Sequence, residues 1–472
     1  MPGNCISNDQ RTESDGIPRP LALFESCNRH GSVVNTVRPF GRILFMRLGS
    51  RSEFIHRILV PALAALLASG CTSTAPPNSQ PDLGASPTPF QPDRDVPGAL
   101  FSSDSVPLVR PTFTPQPMPY LRPQDLPTAP EPDRQAAGSS RSSLAVVNNP
   151  LTGLPPSNAA LLERRPMVVK VTNYPRYVRP QSGLSLADTV FEYYIEDSLT
   201  RFIAVIYSND SLKVGPVRSG RYFDEHVTRM YHAYFVFKYA DPREYSYFKA
   251  SDLLDFLIVP GNGACPPFVV GGGNRDTYNN IFFNSTRFGA CLERSGLDNS
   301  RQALRSSFFS EAPVGGIGKA ARVYTRYSPD DYNYWEFDED AGQYVRHQET
   351  ADTRRNKPET YAILTDAETG RPVMADNVVV LFVPHTFANE FEAEDEVYHI
   401  DLLESGQAMV FRDGIAIPAY WYRTELDQPL VLATALGTPV YLKPGVTFFQ
   451  VIGRTSTYEQ DGDNWRFRFA TP

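Results

Sequence analysis

Between Thr72 and Arg134 the chain places 16 of its 42 prolines, mixed with Ser, Thr, Gln and Asp and lacking a sustained apolar period. Proline fixes φ and removes a backbone donor, so such a stretch builds neither a hydrogen-bonded ladder nor a core. It reads as a disordered tether over 71–143 that stiffens toward polyproline II. At about 3.1 Å per extended residue, its reach is on the order of 100 to 200 Å. Folded sequence is therefore expected only from about residue 144 onward.

What the tether hangs from is written just before it, in Arg57-Ile-Leu-Val-Pro-Ala-Leu-Ala-Ala-Leu-Leu-Ala-Ser-Gly-Cys71. Arginines between Arg47 and Arg57 give a positive start, and the apolar run Ile58 to Ala68 is well short of the roughly 18 to 20 residues that span a bilayer. Small residues at Ser69 and Gly70 admit a peptidase, and Cys71 offers the thiol that takes a diacylglycerol. Residues 46–70 thus read as a lipoprotein signal peptide, although leucine stands at Leu67, one place early. The alternative is an ordinary secretory signal cut near the same place. Such signals sit at an N-terminus, so Met46 is the expected initiator and 1–45 an upstream extension outside the fold. The expected location is extracytoplasmic, anchored to the bacterial cell membrane by lipid at Cys71.

Beyond Cys71 there are 37 basic against 48 acidic side chains. An acidic body repels nucleic acid and anionic headgroups, which excludes nucleic acid as a partner and leaves membrane attachment to the lipid. Cys265 and Cys291 are the thiols of the folded part, and in an oxidising compartment they suggest one disulfide. It closes a loop of about 26 residues, worth roughly 3 kcal/mol in the chain-entropy account. The alternative is two buried free thiols. Cys265 as a nucleophile lacks a nearby His in Gly263-Ala-Cys-Pro-Pro267.

About 330 residues remain, more than one core normally serves, and a break is expected near Ala312 to Lys319. The fold class is α+β: a mixed α/β N-terminal domain, 144–315, followed by a mainly antiparallel β domain, 316–472. Met167 to Val171, Thr189 to Ile195 and Phe202 to Tyr207 read as strands, and Ala233 to Tyr239 as another. Ser219 reads as the N-cap of a helix through Tyr231, with Asp224 and Glu225 in its first turns. Downstream, Tyr332 to Phe337 and Gln343 to Arg346 form a hairpin. Asp413-Gly414 supplies the positive φ angles of a type I′ turn between apolar flanks. Asn377 to Val383, Val397 to Leu403 and Thr447 to Ile452 add strands.

Several separated motifs carry a resemblance. They are Asn149-Pro-Leu-Thr-Gly-Leu-Pro155, Arg179-Pro-Gln-Ser-Gly-Leu-Ser-Leu-Ala-Asp-Thr-Val-Phe-Glu192, Thr200-Arg-Phe202 and Gly215-Pro-Val-Arg-Ser-Gly-Arg221. Trp335-Glu-Phe, Tyr344-Val-Arg346, Ala375-Asp-Asn-Val-Val-Val380 and Leu442-Lys-Pro-Gly445 with Phe449-Gln-Val451 follow. In this order the chain resembles the YerB-like lipoproteins, built from two domains of unknown function, over about 148 to 455. It departs at Lys238-Tyr-Ala-Asp-Pro-Arg243 and at Thr277-Tyr-Asn-Asn-Ile281. The resemblance implies a lipid-anchored, two-domain envelope protein and no established reaction.

For chemistry, the foremost group is Arg201, Arg218 and Arg221, guanidinium forks suited to a carboxylate or phosphate. Asp188 and Glu192 are the candidate carboxylate partners, and structural pairing with Asp188, Glu192, Glu196 or Asp197 that ties two elements together reads the same way in sequence. His226, His232, His347, His385 and His399 show no metal-ligand spacing, so no metal or cofactor is expected. Asp461-Gly-Asp-Asn464 reads as a hairpin turn rather than a calcium loop, and no Gly-x-Ser-x-Gly elbow occurs. Tyrosines and phenylalanines between Tyr222 and Phe248 read as packing rather than a sugar-stacking surface. The chain is thus expected to be a non-catalytic binding protein for a cell-wall component or envelope protein. The alternative is an envelope hydrolase or transferase with an Arg/carboxylate anion-binding pocket.

Overall fold

The computed structural model describes residues 121–130, 147–261, 267–271, 278–312, 314–388 and 396–470. Apolar runs with little alternation, such as Asn377-Val-Val-Val-Leu-Phe-Val383, suit strands covered on both faces, and they form the largest sheet. Its N-terminal strands are β1 (Met167–Thr172), β2 (Thr189–Tyr194), β3 (Thr200–Ile206), β4 (Tyr234–Val236) and β5 (Leu257–Ile258). Every residue of β1, β2 and β3 is buried. The sheet runs in the order Val431–Ala433, Ile415–Arg423, Glu404–Arg412, Asn377–Val383, Thr447–Gly453, β2, β3, β1, β4, β5, with Gly318–Lys319 beside Ile415–Arg423.

Chain on both sides of the Ala312 to Lys319 segment enters this one sheet. Thr447–Gly453 pairs in parallel with β2 on one edge and with Asn377–Val383 on the other. The two sequence halves therefore share a hydrogen-bonded sheet and a continuous apolar core.

A second sheet runs Tyr361–Ile363, Gln343–Glu349, Tyr332–Asp338, Arg322–Arg326, Asn464–Arg468, Thr457–Asp461, with Met374–Ala375 beside Gln343–Glu349. It packs on one face of the first. The Phe448 ring lies 4.7 Å from Trp335 and 5.9 Å from Phe202, and Phe411 lies 5.9 Å from Trp465. The opposite face carries α1 (Asp224–Met230) and α2 (Pro242–Ala250), with Phe223 4.5 Å from Tyr193 and Phe248 5.6 Å from Phe235. Helix α3 (Phe288–Ser295) sets Phe288 5.3 Å from Tyr234. The described fold is mostly strands with few helices, broadly α+β.

The turns follow their residues. Asp413 and Gly414 take φ of 51° and 69° between the paired strands Glu404–Arg412 and Ile415–Arg423. Asp461 and Asn464 close the last hairpin. The expected helix from Ser219 is shorter, and Ser219 is not its cap. Gly220 is still extended, bridged to Ala240 with its N–H donating to the Tyr239 carbonyl at 2.9 Å. The helix therefore starts only at Asp224, whose carboxylate accepts the Arg221 N–H at 2.7 Å. Part of the expected tether, 121–130, is ordered against the body. Ala129 is buried, and the Pro130 carbonyl accepts the Ser306 N–H at 3.1 Å.

Candidate functional site

Strand pleating decides which side chains meet. Tyr193 of β2 lies opposite Arg201 of β3, and Arg201 opposite Thr172 of β1. Opposed residues share a face, so Arg201 points with Tyr193 and, two residues along β1, with Lys170 toward α1 and α2. The extended stretch after Gly215 crosses this face. The Arg218 N–H donates to the Lys170 carbonyl at 3.1 Å, and the Lys238 N–H donates to the Arg218 carbonyl at 2.9 Å.

The three arginines are thereby brought together. Arg201 Nη1 donates to the Ser219 carbonyl at 3.2 Å, and its Nη2 lies 4.0 Å from Glu196 Oε1. Arg221 grips the same carboxylate with a fork, Nε to Oε2 at 2.7 Å and Nη2 to Oε1. The half-buried Arg218 guanidinium stands 5.9 Å from the Tyr278 ring centroid. Burial works to raise the Glu196 carboxyl, and the Arg221 guanidinium outweighs it, holding the group below its usual range.

Beneath lies a second layer. Lys170 Nζ is 2.9 Å from Asp224 Oδ1 and bonds to the Tyr193 hydroxyl, which donates to Asp224 Oδ1 at 2.5 Å. Burial, with Arg201 adding to it and Asp224 opposing, holds the Lys170 ammonium down to about 7. Arg201 is held down to about 9 by burial first and then by Arg221. On α2, Glu244 is fully buried with its carboxyl raised to about 7, burial being the main cause. Its nearest cation is Arg221 Nη1 at 3.7 Å, and neither oxygen has a hydrogen-bond partner among the described residues.

Asp188 and Glu192, expected to partner the arginines, lie elsewhere. Asp188 accepts the Asn149 amide at 2.7 Å, the Tyr207 N–H at 2.7 Å and the Ser208 N–H at 3.0 Å, tying the Asn149 turn to the end of β3. Glu192 is opposite Phe202 and hence on the other face of the pleat. There it accepts Arg346 Nη2 at 2.9 Å and the Thr200 hydroxyl at 3.0 Å. The arginines are served instead by Glu196, which lies in the acidic stretch expected to pair with them, and by Glu244, which the sequence does not mark.

A second place was not singled out from sequence. A cleft of about 320 Å³ is lined by Arg176, Arg179, Gln348, Glu349, Thr350 and Leu364, among others. Arg179 ties the halves together there. Its Nε and Nη2 donate to the Asn173 carbonyl and side-chain oxygen, each at 3.1 Å, and its Nη1 and Nη2 donate to the Glu349 carbonyl and carboxylate, each at 2.7 Å. Arg176 Nη2 donates to the Asp330 carbonyl at 2.7 Å, while its Nε stands 3.5 Å from Glu349 Oε1. Burial, reinforced by Asp331, raises the Glu349 carboxyl to about 8 against the pull of Arg179. The signal in sequence is Arg176, three residues before the Arg179 that opens the second motif.

Cys71 and Cys265 lie outside the described residues, and Cys291 is buried on α3. Among the described residues no group of three or more His, Cys, Asp or Glu is placed to hold a metal ion, and no helix is long and apolar enough to cross a membrane.

Residues 151–298 match the N-terminal domain, and 323–449 the C-terminal domain, of a protein of unknown function family, DUF3048. The YerB protein of Bacillus subtilis (strain 168), designated a lipoprotein by its name, is 27% identical over 286 residues, covering 58% of this chain and 77% of that protein. The crystal structure of the Bacillus subtilis YerB protein matches with a TM-score of 0.54 at 24% identity, over 65% of this chain and 96% of that one, a likeness of fold.

Proposed function

Because this chain belongs to the YerB-like lipoprotein family, we propose that it is an extracytoplasmic protein anchored to the bacterial cell membrane by lipid at Cys71, binding a cell-wall component or envelope protein without catalysing a reaction. Its body comprises an α+β part, 144–315, and a β-rich part, 316–472, joined through one sheet. The observation that carries the binding role is the cleft between the Arg176 to Pro180 loop and the strands Gln343–Glu349 and Tyr361–Ile363. Its volume of about 320 Å³ is at the lower end of small-ligand sites, and it combines guanidinium groups with a carboxyl of shifted pKa. The test is capture of isolated wall fractions and solubilised envelope proteins by the mature protein carrying Cys71→Ser. Retention of either above a charge-matched control is expected, and retention of neither refutes the proposal.

One observation favours a second reading, an envelope hydrolase or transferase built on Arg201, Arg218 and Arg221. Glu244, raised to about 7 beside Arg221 and without a hydrogen bond among the described residues, has the properties of a general acid or base. Turnover of peptidoglycan fragments that disappears in Arg218→Ala, with folding unchanged, supports this reading. Absence of turnover in the parent protein removes it.

A further inference from the structure

Tyr361–Ile363 is the end strand of the second sheet, and no other strand among the described residues pairs with its far edge. The Thr350 N–H donates to the Thr360 carbonyl at 3.0 Å and the Leu364 N–H to the Arg346 carbonyl at 2.9 Å. In an antiparallel ladder the direction of these groups alternates, so Thr360, Ala362 and Leu364 bond inward while Tyr361 and Ile363 turn their N–H and C=O groups outward. Ile363 is 50% exposed. An open edge of this kind templates an added extended strand unless something blunts it. Ala362, Ile363, Leu364 and Thr365 also border the cleft that Arg176 and Arg179 enter from the other half of the chain.

The two arginines are used differently. Arg179 spends every nitrogen on Asn173 and Glu349 and is a fixed strut. Arg176 spends one nitrogen on the Asp330 carbonyl, turns its buried Nε toward Glu349 Oε1 at 3.5 Å, and keeps a quarter of its side chain exposed. One carboxyl, Glu349, faces both guanidinium groups, with Arg179 Nη2 at 2.7 Å and Arg176 Nε at 3.5 Å, so the pair of cations exceeds the one acid between them. The mouth therefore presents outward backbone groups along one wall and a partly committed cation on the other.

We infer that this cleft takes an extended peptide segment by strand addition to Tyr361–Ile363, with Arg176 receiving the peptide's free C-terminal carboxylate. The inference rests on the binding role proposed above and names its ligand class. Strand addition supplies sequence-tolerant backbone bonds, and the charge-assisted contact to Arg176 supplies the requirement for a free acid.

The probe is a dye-labelled tetra-alanine peptide, offered as free acid and as C-terminal amide to the mature Cys71→Ser protein, with binding read by fluorescence anisotropy. The free acid is expected to bind about tenfold tighter than the amide or better, the size of one charge-assisted hydrogen bond. Arg176→Gln removes that preference while leaving the circular dichroism spectrum unchanged, and Ile363→Pro, which deletes an outward N–H, weakens both peptides. Equal binding of acid and amide, no binding of either, or a preference that survives Arg176→Gln overturns the inference. Wall or envelope capture by a protein indifferent to the carboxylate keeps the broader proposal and removes this one.

Discussion

Arg346→Met tests whether the contact between the two sheets is organised around a single buried ion pair. Arg346 and Glu192 are both fully buried, 2.9 Å apart, and come one from each family-matched segment. The guanidinium carbon also lies 5.0, 5.4 and 5.0 Å from the ring centroids of Phe202, Trp335 and Phe448. Methionine keeps roughly the volume and removes the charge. Losing the aromatic contacts costs on the order of 1 to 2 kcal/mol at any pH. The remaining cost is electrostatic. Burial already holds the Glu192 carboxyl above its usual range with Arg346 opposing, and in the variant that opposition is gone. The carboxyl can escape by protonating, which limits the penalty to about 1.4 kcal/mol per pH unit above an unfolded pKa near 4.3. Because the parent carboxyl is already raised, the extra loss on substitution is at most about 4 kcal/mol at pH 7.5 and about 2 kcal/mol at pH 5.5. With the folded pKa raised, the folded variant binds more protons than the unfolded chain. Its stability is greatest below the unfolded value and falls as pH rises toward the folded one. Urea unfolding of the mature Cys71→Ser protein at both pH values reads this directly. Adding Glu192→Gln to Arg346→Met should recover most of the pH-dependent part. A loss of equal size at both pH values, or no recovery in the double variant, refutes the reasoning.

Glu244→Gln works in the opposite direction. The parent carboxyl, raised from 4.5 to about 7, contributes stability that is lost as pH rises through that window. The variant should therefore be more stable than the parent by roughly 1 to 3 kcal/mol at pH 8 and no more stable near pH 4, as measured by thermal melts. Arg179→Ala removes the hydrogen bonds to Asn173 and Glu349 that join the halves, with an expected loss of about 3 kcal/mol in urea unfolding. For Cys265 and Cys291, the proposed bridge predicts that alkylation adds mass only after reduction, and that reduction lowers stability by roughly 3 kcal/mol. Mass spectrometry of unreduced mature protein showing two alkylated thiols excludes the bridge.

What could be read in advance was whatever depends on neighbours along the chain. Asp413-Gly414 announces its turn because two adjacent residues must take positive φ, and they do. The strands at Met167, Thr189 and Asn377 announce themselves by apolar runs whose covering on both faces needs no knowledge of the partner. The Gly215 to Arg221 stretch likewise announced a cationic group, and the fold brings Arg201, Arg218 and Arg221 to one face. Glu192 parts from the arginines because facing depends on the phase of the pleat. Glu192 and Tyr193 are neighbours in sequence but point to opposite sides of β2, so Tyr193 meets Arg201 while Glu192 meets Arg346, 154 residues away. Glu196 reaches the arginines because the chain reverses just after β2, at Asp197 and Ser198 with φ of 56° and 65°, which turns it back beside β3. Non-glycine residues with positive φ leave only a weak local signal. The cleft had still less, since Arg176 and Glu349 lie far apart in sequence and meet only where the second sheet packs on the first. Packing across so many residues writes no motif at either end, because each strand shows only that it is buried. The same packing explains why chemistry gathers at the seam between halves: burying polar strands from both segments against one another forces Glu192, Arg346, Arg179 and Glu349 to find partners across it.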